Sequence, residues 1–115
     1  MGTLVGEVKV GPIIYRIEEV PNLNSDGAMF SGLIHYQDGL IEIEAGLGDH
    51  AKEVTLLHEV IHAVLDDRGV KEHDEDLIEI LARGLLGVLK DNGICKRFYP
   101  GGMNVDGERD GEEGD

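Results

Sequence analysis

The residues best suited to chemistry lie in one stretch, Thr55-Leu56-Leu57-His58-Glu59-Val60-Ile61-His62, a His-Glu-x-x-His pentad set in an apolar run. On a helix, four residues turn the chain about 40° past a full circle and raise it roughly 6 Å, so His58 and His62 point one way, a turn apart. Two imidazoles so placed can share one metal ion, and zinc suits them. Glu59 lies about 100° round from His58, outside the two-histidine clamp but near enough to hold a water on the same ion. That is the division of labour of zinc hydrolysis: the metal lowers the pKa of the water and a carboxylate takes its proton. Two histidines on a helix could also be satisfied boundary residues, but the motif fixes three residue types at set spacing and demands a helical context.

The helix can be tested on paper. Stepping about 100° per residue from His58, Val54, Leu57, Ile61, Val64 and Leu65 form one apolar sector, and Leu56, Val60 and Ala63 form a second. The remaining sector holds Lys52, Thr55, His58, Glu59, His62 and Asp66. A helix apolar on most of its circumference is buried, and its single polar window is where a site can be built.

A hydrolytic zinc site takes three protein ligands and leaves a position for water, so a third ligand is required. The extended form ending in Gly-x-x-His is excluded, because Leu65 stands at the glycine position and Arg68 at the histidine position. Asp66, one turn beyond His62, ranks low because an ion beyond the helix surface favours a ligand from another element. In a second expected helix Glu75, Glu79, Ala82 and Leu86 share one inward stripe. Glu75 has a ready explanation as a first-turn carboxylate favoured by the helix dipole. Glu79, mid-helix beside apolar positions, has none, so it ranks first and Glu75 is the alternative. His35 and His73 read as strand and loop residues, with His73 able to stabilise an oxyanion if its loop folds over the site.

These residues need elements to hold them. The run from Val8 to Val20 is rich in β-branched residues and reads as a strand bent or begun near Gly11-Pro12. Asn22 to Gly27 reads as a loop. Met29 to Gln37 and Leu40 to Ala45, joined by Asp38-Gly39, read as a hairpin, with Ile41 and Ile43 on its buried face. Asp49 is the expected N-cap of the pentad helix, which runs to about Asp67 and is closed by Gly69. A second helix is expected from the Asp74 cap to about Asp91, with Leu77, Ile78, Leu81, Leu85, Val88 and Leu89 as its core stripe and Asn92-Gly93 as its stop. Cys95 to Pro100 either returns to the sheet or caps the core.

With 115 residues the chain holds one modest core, expected over residues 1–100. Gly101 to Asp115 carries five glycines and six acidic residues and is expected to be a disordered tail. The net charge of −14 counts against nucleic acid and anionic membrane as partners. The single Cys95 can form no intrachain disulfide, and without a signal peptide or long apolar run the expectation is a soluble, cytoplasmic protein.

The pentad, followed by Glu79-Ile80-Leu81-Ala82, resembles the gluzincin class of zinc metallopeptidases, which pair His-Glu-x-x-His with a downstream Glu-x-x-Ala or Glu-x-x-Asp helix. The small size and the run from Glu79 through Asn92 are similar to the minimal zincin domains of phages and prophages, relatives of the ImmA/IrrE-like peptidases. That resemblance, over roughly residues 10 to 93, implies zinc on His58, His62 and Glu79, with Glu59 as general base; the ImmA/IrrE pattern also allows Glu75. It implies an α+β fold, a small antiparallel sheet and hairpin packed on the active helix and a second ligand-bearing helix. The expected activity is hydrolysis of a peptide or protein substrate that pairs with the Ile41–Ile43 strand. The alternative is a metal-stabilised, non-catalytic protein-binding module, against which Glu59 speaks, since no metal-structural role requires it.

Overall fold

The computed structural model describes residues 2–25, 28–29 and 31–100; the acidic tail expected over 101–115 lies outside them. β1 (Thr3–Val10) and β2 (Ile13–Val20) form an antiparallel hairpin where the sequence predicts one strand bent near Gly11-Pro12. The pair makes a two-residue turn instead. Gly11 takes φ +57°, which a glycine supplies without steric cost, and Pro12 fixes the next φ. Along β2 the pattern of a half-buried strand is clean: Tyr15 and Ile17 are buried while Ile14 and Arg16 are exposed.

A two-residue ladder pairs β3 (Asn24–Ser25), inside the predicted loop, with β4 (Ala28–Met29), which lies just after that loop and takes the first residue of the predicted Met29–Gln37 strand. β5 (Gly32–His35) and β6 (Leu40–Glu44) then form the expected hairpin, both shorter than predicted, turning at Gly39 with φ +61°. The sheet order is β1-β2-β6-β5, and β6 runs parallel to β2 with Ile17 opposite Ile41. The sheet is therefore mixed, not antiparallel throughout, because the β5–β6 hairpin docks on β2 through its second strand. It follows that the Ile41–Ile43 strand offers no edge. It is interior, with both isoleucines fully buried, and β5 is the edge beside it.

α1 (Asp49–Asp67) lies between the sheet and α2 (Glu75–Asp91). This sandwiching explains the two apolar sectors of the pentad helix. Leu56, Val60 and Ala63 pack on Tyr15, Ile17, Ile41 and Ile43 of the sheet, and Val54, Leu57 and Ile61 pack on Ala82 and Leu86 of α2. Gly48, not Asp49, is the N-cap of α1, with no side-chain cap bond, and Asp49 sits in the first turn where a carboxylate suits the helix dipole. Asp74 caps α2 as expected, its side chain accepting the Leu77 N–H at 3.1 Å.

The buried line of α2 is Ile78, Ala82 and Leu86. Leu77, Leu81, Leu85 and Val88, predicted as core, are exposed. The reason is that, among the described residues, α1 is the one element α2 packs against, so a single stripe of it is covered. Residues Cys95 to Pro100 form no strand; they cap the core, with Tyr99 buried and Phe98 packed against both the sheet-side and the helix-side clusters.

Candidate metal centre

The polar window of α1 opens toward the start of α2. His58 and His62 reach out of it, and Glu75, in the first turn of α2, meets both. Its carboxylate lies 3.0 Å from His58 Nε2 and 3.1 Å from His62 Nε2. The other ring nitrogens are held from behind. His58 Nδ1 lies 2.8 Å from Glu79 Oε1, and His62 Nδ1 lies 2.8 Å from Nδ1 of His73. Glu79 is held in turn by Arg83, whose Nε donates to Glu79 Oε2 at 2.7 Å.

Hydrogen-bonding capacity dictates what this centre needs. A carboxylate only accepts, so His58 donates to Glu79 through Nδ1, while its Nε2 faces Glu75 on the other side. Burial, with His58 and His73 nearby, holds His62 below the usual histidine range despite the carboxylate of Glu75, and so favours its neutral form. Partial burial alone would raise Glu75, but its hydrogen bonds to His58 and His62 prevail and keep it an anion below the usual carboxylate range. Two imidazole nitrogens and a carboxylate thus converge, a set that one cation between them can bind through all three.

The spacing fits such an ion. The ligand atoms of His58, His62 and Glu75 all lie within 4.8 Å of one another. A tetrahedral zinc with bonds of about 2.0–2.1 Å places its ligand atoms about 3.4 Å apart, close to the contacts present here. Two imidazoles and one carboxylate also form a ligand set used by catalytic zinc.

Glu59 lines the same cavity as the two histidines and Glu75. It is 7 % exposed, and no hydrogen bond to it exists among the described residues. Burial, opposed by His58 and reinforced by Glu75, pushes its carboxyl up to about 7. A buried carboxyl with no structural partner and a pKa near neutrality is what a general base requires.

The cavity has a volume of about 670 Å³ and is bounded by His58, Glu59, His62 and Glu75 on the helices and by Gly32 and Tyr36 from the β5 side. Gly32 is sterically required. A Cβ there would stand 2.6 Å from the Thr55 methyl and 3.2 Å from Glu59 Oε2, filling the space between edge strand and base. Tyr36 is half-buried, and desolvation with the nearby Asp66 and Glu59 carboxylates pushes its phenol up to about 12, so it stays a proton donor.

The pentad residues and the two glutamates of α2 are therefore brought together. Glu75 contacts both histidines on the Nε2 side, whereas Glu79, ranked first from sequence, contacts His58 on Nδ1. Asp66 is exposed and outside the cluster, and His35 pairs with Glu42 on the hairpin at 2.8 Å. His73 is against the site but not free to stabilise an oxyanion, because its second nitrogen is bound to the Val70 carbonyl. Gly32 and Tyr36 were not singled out by sequence; neither stands in a periodic pattern, and their role arises from the hairpin folding against α1. Comparison with family models, curated proteins and solved structures finds no match to the chain.

Proposed function

We propose that this chain is a zinc metallopeptidase of gluzincin type, with His58, His62 and Glu75 as ligands, Glu59 as general base and Glu79 orienting His58. The observation that carries the reading is the convergence of two imidazole nitrogens and a carboxylate beside a buried Glu59 that has no hydrogen-bond partner among the described residues. Glu79 supports it as a hydrogen-bond acceptor behind a ligand histidine, an arrangement that fixes ring orientation and raises ligand basicity.

Zinc held there supplies a lowered pKa for a water and polarisation of the scissile carbonyl. Glu59, poised near neutrality, takes the proton of the attacking water and returns it to the leaving amine. The outer edge of β5, along Gly32 and Leu33, borders the cavity and can pair with an extended peptide backbone. Gly32 lets that backbone come close to Glu59. Tyr36 is placed to donate a hydrogen bond into the same space.

The test compares wild type with three variants in a zinc titration and a peptide-library cleavage assay. Glu59→Gln is expected to keep fold and zinc while cleavage falls roughly 10²- to 10⁴-fold. Glu75→Gln should lose most zinc affinity, as removal of a ligand does, and Glu79→Gln should weaken it about 10- to 100-fold. Cleavage that survives in Glu59→Gln removes Glu59 from the mechanism. Zinc lost in Glu79→Gln but kept in Glu75→Gln restores the order read from sequence, and zinc-loaded wild type that cleaves nothing leaves the non-catalytic binding module as the reading.

A further inference from the structure

The geometry points to His73 as a positioning residue that commits His62 to bind metal through Nε2; this rests on the metal-centre reading above. Residues 68–74, between the helices, are fixed at both ends. On one side Gly69, at φ +85°, closes α1: its N–H donates to Asp66 O at 3.1 Å and the Val70 N–H donates to Leu65 O at 2.9 Å. This paired closure satisfies the last carbonyls of the helix and settles where the Val70 carbonyl points. On the other side Asp74, the next residue after His73, is tied down as the cap of α2. His73 thus stands between a helix stop and a helix start and is half-buried although it belongs to neither helix.

The proton positions follow from what each partner can do. The Val70 carbonyl only accepts, so His73 Nε2, 2.8 Å away, donates to it. With a metal on its Nε2, the His62 ring carries its one proton on Nδ1. His73 Nδ1, 2.8 Å away, accepts that proton's hydrogen bond. The proton of His62 is thereby held on the side away from Glu75, and Nε2 faces the ligand cluster. A free imidazole exchanges its proton between the two nitrogens, and here a backbone carbonyl makes the choice through His73. The same service is given to His58 by Glu79, so each ligand histidine has its own acceptor behind it.

The decisive experiment uses the full chain with zinc as the probe. His73→Phe keeps a ring of similar size and removes the acceptor; His73→Asn removes the ring and offers a carboxamide oxygen near the place of Nδ1. We expect His73→Phe to weaken zinc binding about 10- to 100-fold and His73→Asn to recover most of that loss. A packing role would give the opposite order. In ¹⁵N-labelled, zinc-loaded wild type, a scalar coupling across the Nδ1–H···Nδ1 bond between His62 and His73 is expected, and it needs no variant to fold. Wild type that binds zinc no more tightly than His73→Phe, or that lacks the coupling, overturns the inference and leaves the metal centre standing. Wild type that takes up no zinc overturns the metal centre itself, and this inference with it.

Discussion

Glu59 is where burial and chemistry meet most sharply. Desolvation lifts its carboxyl from the ordinary 4.5 to about 7, so the folded chain holds the proton more tightly than the unfolded chain does. A group raised on folding contributes stability that is complete below its unfolded pKa and is lost as pH rises through its folded pKa. For the metal-free protein, stability tied to Glu59 should therefore fall between about pH 4.5 and pH 7, by on the order of 3 kcal/mol or less. Thermal melts of metal-free Glu59→Gln and wild type should coincide near about pH 4.5 and separate by about pH 8, with the variant the more stable. Equal melting temperatures at both ends would mean that the carboxylate is not desolvated. Zinc should abolish the difference, since a dication beside Glu59 favours its ionised form.

At the scale of the element, α2 shows why a helical period does not by itself choose the buried side. Two stripes of this helix are apolar, one through Ile78, Ala82 and Leu86 and another through Leu77, Leu81, Leu85 and Val88. The first is shorter and interrupted by glutamates, yet it is the one in contact with α1, because Glu75 and Glu79 on that side are drawn to the histidines. Truncation separates the stripes. Leu86→Ala, at 1 % exposure, should cost about 2–5 kcal/mol in denaturant unfolding, whereas Leu81→Ala, at 40 %, should cost under about 1 kcal/mol. Equal costs would place both stripes in a core.

Across the whole molecule, the segment after α2 ties the layers together. Glu53 of α1, almost fully buried, accepts from Lys90 Nζ of α2 and, at 2.9 Å, from the Phe98 N–H. Tyr99 is 1 % exposed, donates to Glu19 Oε2 of β2 at 2.7 Å, and has its phenol driven far up by burial and by that carboxylate. Lys52 of α1 pairs with the same glutamate at 3.1 Å. One short stretch thus fastens sheet to helix and helix to helix. Tyr99→Ala should remove about 3–5 kcal/mol of unfolding free energy while the folded fraction keeps its zinc affinity, as unfolding curves and a zinc titration below the melting point will show. Zinc affinity lost in step with stability would mean that the strap also shapes the site. Among the described residues no helix is long and apolar enough to cross a membrane.

The order of these elements was largely legible because it rests on local physics. Alternation exposes Ile41 and Ile43 as buried partners, Gly39 and Gly69 supply the positive φ of turn and helix stop, and Asp74 caps its helix with its own side chain. The pentad was legible for the same reason, since a four-residue step brings His58 and His62 together in any helix. What lay beyond the chain's local reach depended on tertiary contact. The parallel β2–β6 pairing joins strands separated by a long excursion, so β5 rather than β6 became the edge. The distinct contacts of Glu75 and Glu79 depend on how far α2 slides along α1, because both occupy one stripe and a single turn decides which meets Nε2 and which meets Nδ1. His73 reaches His62 only because the interhelical segment folds back between two capped ends, and nothing in residue spacing encodes that approach.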